Sequence, residues 1–509
     1  RRWRRQHHGA GVGVPAELAG QPPRPNRDES TPTRAPPGPP AAAALDPVSD
    51  RAFRLGILAL SALALALGLL RLAHNDIWYD EAVSLHFARQ GGLEFFRGLL
   101  REDTHGPVYY RLLRIWTLAF GEGAWAARLP SVIFAAAAVA AVAQLGARVF
   151  GRASGLAAGL FLALSPLHLF YAQEARFYSF IELLLALQVL CFISLLGPRP
   201  RASRWPWWGF VGTSAACLLT FYLSLLVVLA ELICAAVLWK RIEGKRVLGG
   251  FAAIAAVFSA WLPALLWQVR HTKGSIDWIS DQRTWDFMYQ LCLAFTAGKG
   301  ATWFDSAVAA ILVVGATFEL VRAARRREPG ELALSCWLAI PLVAVLVISI
   351  KRPLYQPRYF MIVAPAFFLL AAAGVWRARP AWLRWPAAAA ILAALAMADG
   401  RYYSHFKQAE RWNDAVAFVR REAMPTDILI AVPAHESAIL SHYFPNFRRR
   451  GGANYAYQIN PAFVRGSRLW LFTHRDADRS LPGQLTPDAL LIESRDFGTL
   501  KVAALLLRR

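Results

Sequence analysis

The chain has 509 residues, of which 56% are hydrophobic and only 18% charged. A soluble protein of this length cannot hide that much apolar surface, and the repeated apolar runs of about 17–25 residues suit a hydrocarbon core roughly 30 Å thick. A formal charge of +22 would point to nucleic acid in a soluble domain. Here the Lys and Arg residues sit mainly in short loops between apolar runs, where they set topology and meet anionic lipid.

Residues 1–50 are rich in Arg, Pro, Gly and Ala, with Pro-Pro-Gly-Pro-Pro at 36–40. Such a composition builds no core and predicts a disordered cytoplasmic tail. It is not read as a cleaved signal peptide, because the apolar run begins too late. Apolar spans are expected near 55–73, 127–149, 153–171, 177–196, 207–222, 223–239, 247–268, 306–322, 331–350, 359–376 and 386–399, about 11 in all. The break between the fifth and sixth falls at Tyr222-Leu223-Ser224. Alternate loops carry Arg148 and Arg152; Arg199, Arg201 and Arg204; Lys240, Arg241, Lys245 and Arg246; Arg322, Arg325, Arg326 and Arg327; and Arg377, Arg379 and Arg384. By the positive-inside rule these loops and the tail are cytoplasmic, and the C-terminus is external.

The external loop 74–126 has helical patterning at 81–101 and 107–120, which predicts interfacial helices lying along the membrane. With it, residues 51–400 form the transmembrane domain. Beyond 400 the pattern changes to an amphipathic helix at 411–421, a strand from Asp427, a helix near 435–443, a strand from Arg468 and a last strand from Lys501. Strand–helix–strand order predicts a small external (periplasmic) α/β domain over 401–509. The cysteines Cys191, Cys217, Cys234, Cys292 and Cys336 show no CxxC spacing and read as buried apolar residues.

The chemistry gathers at the external boundary. Asp80 and Glu81 follow the first span, and Glu174 and Arg176 follow the third. Charge at a membrane boundary is costly and points to function. Asp80 can take a proton from a hydroxyl as a general base. Glu81 points elsewhere and reads as a supporting partner, or as a metal or substrate ligand. Both would also favour a helix N-terminus, which is the blander reading. Arg176 suits a phosphate oxygen, against an ordinary ion pair with Glu174. Arg358 is the second candidate cation for phosphate, whereas Lys351 and Arg352 read as interfacial anchors. His105, with Tyr109 and Tyr110 close by, is weak evidence alone. Trp278, Trp285 and Trp303 read as interfacial. No cofactor is required by these residues. No metal-ligand spacing is visible, although a divalent metal between carboxylates and a phosphate is compatible with them.

Several segments together resemble a known family. They are Trp78-Tyr79-Asp80-Glu81-Ala82, His105-Gly106-Pro107-Val108-Tyr109-Tyr110, Arg128-Leu129-Pro130-Ser131, Ser165-Pro166, Tyr171-Ala172-Gln173-Glu174-Ala175-Arg176-Phe177-Tyr178, Gln356-Pro357-Arg358-Tyr359 and Arg411-Trp412-Asn413-Asp414-Ala415. Spread in order over roughly 55–430, they resemble the GT-C fold membrane glycosyltransferases, specifically the protein O-mannosyltransferase and aminoarabinose transferase-like group of glycosyltransferase family 39. The resemblance implies inverting transfer of a sugar from a polyprenyl-phosphate donor to a glycan, lipid or protein acceptor outside a bacterial inner membrane. It implies Asp80 as catalytic base with Glu81 beside it. It also implies His105, Tyr109, Glu174, Arg176, Tyr178, Arg358 and Tyr359 around the substrates. The chain departs from the family at His105-Gly106-Pro107, where His-Pro-Pro is frequent, and at Thr220-Phe221-Tyr222, where many relatives carry a histidine. The alternatives are a polyprenyl-linked sugar transporter or flippase, expected to show internal repeats and interrupted helices, and a non-catalytic subunit of cell-envelope glycan assembly, in which the acidic pair would be dispensable.

Overall fold

The computed structural model describes residues 48–197, 204–271, 284–351, 354–404, 410–424, 427–432, 437–444, 468–474 and 489–507. The expected tail up to residue 47, Trp278 and Arg352 lie outside the described residues.

Every expected apolar segment is helical, and the protein is a multi-pass helical membrane protein. Six helices have the length and apolarity to cross a membrane alone: α1 (Asp50–Leu69), α5 (Ala124–Phe150), α8 (Tyr178–Leu196), α14 (Trp303–Arg326), α15 (Pro329–Ser349) and α17 (Arg384–Ser404), the last extended by the turn from Ala381. Two more expected spans are bent pairs. α6 (Arg152–Ala163) meets α7 (Pro166–Ala172) at 62°, and α11 (Gly244–Ser259) meets α12 (Leu262–His271) at 55°. Proline explains both breaks: Pro166 and Pro263 each remove a helical N–H, and Ser165 before Pro166 is extended. The remaining three segments are shorter: α9 (Trp205–Leu218), α10 (Leu225–Val237) and α16 (Ala364–Trp376). A 3₁₀ turn at Tyr222–Ser224 separates α9 from α10 at the expected break.

α16 is buried from Ala364 to Val375 and forms the centre of the bundle. It packs against α14 backbone to backbone, since a Cβ on Gly374 would stand 2.2 Å from the Gly315 carbonyl oxygen. Trp285 and Trp303 are exposed, at 84% and 82%, as side chains facing an interface would be.

The helical pattern expected at 81–101 is two helices, α2 (Tyr79–Arg89) and α3 (Gly92–Glu102), followed by α4 (Val108–Phe120). The break falls at Gln90-Gly91, both extended, and Gly92 has φ +50°, a conformation glycine adopts at little cost.

After α17 come α18 (Trp412–Glu422), β1 (Ile428–Val432), α19 (Ser437–Tyr443), β2 (Arg468–His474), β3 (Ala489–Phe497) and β4 (Leu500–Leu507). The sheet order is β1-β2-β4-β3, with β1 and β2 parallel and the other pairs antiparallel. β3 is an edge strand that the sequence pattern did not announce. Its apolar run Leu490-Leu491-Ile492 is exposed rather than alternating, and a bulge lies between Leu491 and Glu493.

Candidate active site

Tyr79 opens α2, so Asp80 and Glu81 occupy its first turn, where the helix dipole favours negative charge. Their side chains meet different fates. Glu81 is fully buried, and Arg128 of α5 forks onto it, Nε to Oε1 and Nη2 to Oε2, both at 2.6 Å. Glu81 also accepts from the backbone N–H of Ala175 at 2.9 Å and of Trp78 at 3.4 Å. Arg128 uses its three other N–H groups on the carbonyls of Leu72, Asn75 and Asp76, at 2.8, 2.9 and 2.9 Å. A guanidinium has five donors, and all five are engaged. Glu81 is thus the anchor that ties the α1–α2 loop to α5 and to the loop after α7.

Asp80 is only partly covered. Its Oδ2 accepts from Arg358 Nη1 at 2.7 Å. Arg358 stands in the 3₁₀ turn Pro357–Ile362, ahead of α16, with its guanidinium beside the Tyr359 ring. Arg176 reaches the same turn of α2 from the other side, donating to the Asp80 carbonyl at 3.2 Å and to Ser84 Oγ at 3.3 Å. Burial opposes the charge of Arg176, but Asp80 and the phenols around it hold its pKa well above the usual value. Its Nε is buried without a hydrogen-bond partner.

Arg176 N–H donates to the Glu174 carbonyl at 2.8 Å, but their side chains do not pair among the described contacts. Burial, reinforced by Glu81 and Asp80, raises the Glu174 carboxyl well above the carboxylate range, against Arg176 and Arg128. Its Oε2 has no hydrogen-bond partner among the described residues.

A second acid completes the site. Asp103 ends α3 and accepts from His105 Nδ1 at 2.7 Å, from Tyr110 Oη at 2.5 Å and from the Thr104 N–H at 2.7 Å. Burial resists its ionisation, yet His105 and the Tyr110 hydroxyl lower its pKa to about 2. The His105 ring clusters with Phe177 and Phe221, centroids 4.7 and 6.0 Å away, which stand 5.0 Å from each other. Tyr178 packs against Phe177 and Tyr171, both at 4.5 Å. Tyr359 adds a ring 6.1 Å from Phe221, and Tyr109 stands 6.2 Å from Phe177. The site is therefore an aromatic floor with carboxylates and arginines at its rim.

The two departures from the family pattern lie against each other. Gly106 N–H donates to the Thr220 carbonyl at 3.2 Å and Val108 N–H to the Leu219 carbonyl at 3.1 Å. A Cβ on Gly106 would stand 2.0 Å from the Leu219 carbonyl oxygen. Proline at 106 would lose the N–H and meet that oxygen, so glycine is the residue this contact requires.

All nine residues singled out from the sequence lie at this cluster or in its direct support. Asp103, Ser84 and Phe221 were not among them. Asp103 had a legible signal, an acid two residues before a histidine and seven before a tyrosine. Arg128 stood in a quoted motif without a role. No three His, Cys, Asp or Glu side chains converge as metal ligands among the described residues.

Residues 104–267 match the family model described as dolichyl-phosphate-mannose-protein mannosyltransferase. That stretch contains His105, Tyr109, Glu174, Arg176 and Tyr178. No curated protein matches the chain in sequence. Among solved structures, ArnT from Cupriavidus metallidurans bound to undecaprenyl phosphate superposes with a TM-score of 0.57 at 17% identity, over 88% of this chain and 97% of that one. Its apo form gives 0.57 at 16% identity, with the same coverage. The oligosaccharyltransferase of Archaeoglobus fulgidus tethered to an acceptor peptide gives 0.50 at 13% identity, over 81% of this chain and 61% of that one. These structures carry the fold, so the chain is a multi-pass membrane protein with the GT-C fold, and its residues 104–267 are similar to a family of lipid-linked mannosyltransferases.

Proposed function

We propose that the protein moves a sugar, with inversion, from a polyprenyl-phosphate carrier to a hydroxyl or amine acceptor at the external face of a bacterial inner membrane, its N-terminus cytoplasmic and residues 401–509 external. The observation that carries this reading is the division of labour in one helical turn. Glu81 is consumed by Arg128, while Asp80 remains partly open and is held by a single guanidinium contact from Arg358.

In this reading Asp80 accepts the proton of the acceptor while the acceptor atom attacks C1 of the sugar. The bond from C1 to the phosphate oxygen breaks, and its electron pair stays on the phosphate. Arg358 and Arg176 offer N–H groups to the charge that grows there, in a site where burial makes each donor count for more than in water. Glu174, raised by burial, serves as a protonated hydrogen-bonding group for donor or acceptor hydroxyls. Tyr178, Tyr359 and Tyr109 pack the sugar and the first prenyl units. The superposed ArnT structure is bound to undecaprenyl phosphate, the kind of carrier this reading calls for. The two bent helix pairs favour the transporter alternative, but carrier sites of that kind lie near the bilayer midplane, whereas Asp80, Glu174, Arg176 and Arg358 all stand in loops or first turns at the ends of helices.

The test is release of labelled sugar from a panel of polyprenyl-phosphate-linked sugars by purified protein in liposomes, with a set of glycolipid, glycan and peptide acceptors. Asp80→Asn is expected to lower turnover by about 10²–10⁴, the usual contribution of a positioned general base, while donor binding stays within a few-fold. Turnover unchanged in Asp80→Asn would remove the base assignment.

A further inference from the structure

The loop that delivers Asp80 is held from two sides. From the bundle it is held by Arg128. From outside it is held by α18 and α19. Asp76, four residues before Asp80, takes the backbone N–H of Asn413 on Oδ2 at 2.8 Å and the Asn413 side-chain amide on Oδ1. Ile77, three residues before Asp80, gives its carbonyl to Tyr443 Oη at 3.1 Å.

Neither partner is a loose surface side chain. Asn413 lies in the first turn of α18, whose dipole favours a carboxylate at that end. The Tyr443 ring stacks on Trp412 at 6.0 Å and 7°, and Trp412 stacks in turn on Phe472 of β2 at 5.7 Å and 13°. Three near-parallel rings thus run from the sheet to the loop. The next residue back, His442, meets Arg89 Nη2 through Nδ1 at 2.9 Å. Arg89 is the last residue of α2, so successive residues of α19 grip both ends of the helix whose first turn carries Asp80.

We propose that the C-terminal unit sets the position of the catalytic base, with Asn413 and Tyr443 as its positioning residues; this rests on reading Asp80 as that base. The contacts fall on the loop and on α2, the parts that fix where the Asp80 carboxylate stands relative to Arg358. Asp80 and Arg358 come from elements 278 residues apart and meet at 2.7 Å. A misplacement of about 1 Å is enough to cost on the order of a hundredfold in rate.

The experiment uses the full chain in liposomes and compares wild type with Tyr443→Phe, Asn413→Ala and the double variant. Tyr443→Phe keeps the ring stack and removes only the hydroxyl. Two quantities are read: steady-state kcat and KM with the labelled lipid-linked sugar, and hydrogen exchange of backbone amides over 70–82. The double variant is expected to lose about ten- to a hundredfold in kcat, with KM for the donor within twofold. Exchange over 70–82 is expected to be at least tenfold faster, with the spans unchanged. Full kcat, or unchanged exchange over 70–82, in a folded double variant overturns the proposal. Faster exchange in the variants of a protein whose wild type shows no turnover would strike the catalytic reading and leave the mechanical coupling standing.

Discussion

Two arginine–carboxylate clusters, one at each end of the bundle, have the same inventory and different wiring. At the end expected to be cytoplasmic, Arg322 donates to Glu319 at 3.1 Å and to Glu331 at 3.0 Å, and Arg377 donates to the same two at 2.5 and 3.2 Å. Two arginines and two carboxylates there form a closed ring across α14, α15 and the end of α16. At the other end Asp80, Glu174, Arg176 and Arg358 offer two of each again. Yet the one carboxylate–guanidinium contact described among them is Asp80 with Arg358. Arg176 turns to a carbonyl and a hydroxyl instead, and Glu174 pairs with neither arginine among the described contacts. A closed ring neutralises its own charge and leaves nothing to react. An open one leaves the carboxylates and guanidiniums less fully paired, which in the proposed reading is what a substrate meets, at a cost in burial that the rest of the fold must offset.

The sharpest way to break this comparison is to make the same change at both ends. Arg358→Gln is expected to lower turnover by about 10²–10³, the range found when one donor to a developing anion is lost. Arg377→Gln is expected to leave turnover per folded molecule within twofold. Both are read with the labelled donor against the fraction of folded protein from gel filtration. Equal losses at the two ends would mean that the wiring carries no functional meaning.

The reverse contrast is in stability. Glu319→Ala leaves two arginines facing Glu331 alone, and breaking such a buried pair costs about 3 kcal/mol, the low end of the usual range because Arg322 and Arg377 are partly exposed. Glu174→Gln is expected to cost less than about 1 kcal/mol, because burial already favours the uncharged carboxyl there. Thermal unfolding in detergent separates the two, and a larger loss for Glu174→Gln would show that Glu174 is held as a charged group.

Much of this was legible in the chain. Span length and hydropathy marked the long apolar helices, whereas the short helix Thr284–Thr296, which buries Phe287, Leu291 and Phe295, lies where no span was expected. What stayed hidden was how a span is made: Pro166 and Pro263 turn two runs that read as continuous into bent pairs. In the site, residue type gave Asp80, Arg176 and Arg358, because charge beside an apolar run has few bland explanations. It could not apportion Asp80 and Glu81, since only the approach of Arg128 from 47 residues away decides which carboxylate is consumed. Nor could it connect Gly106 with Thr220, two local departures that are one contact. β3 escaped because period-2 alternation marks strands with one face buried, and this edge strand exposes its apolar run.

The last effect concerns the acid that the sequence did not single out. Asp103 has a folded pKa of about 2, below the usual 3.8, because His105 and Tyr110 favour its charged form more strongly than burial opposes it. A group whose folded pKa is depressed binds protons more readily in the unfolded chain. Its stabilisation is therefore complete above about pH 4 and is lost as pH falls through about 2. The shift corresponds to about 2 kcal/mol at neutral pH. Asp103→Asn should accordingly melt several degrees below wild type at pH 7, with the gap narrowing at pH 3. If the gap were constant across that range, Asp103 would act through the shape of its hydrogen bonds alone. If it narrows as the charge is titrated away, the carboxylate is what holds His105 against Phe177 and keeps the floor of the site in place.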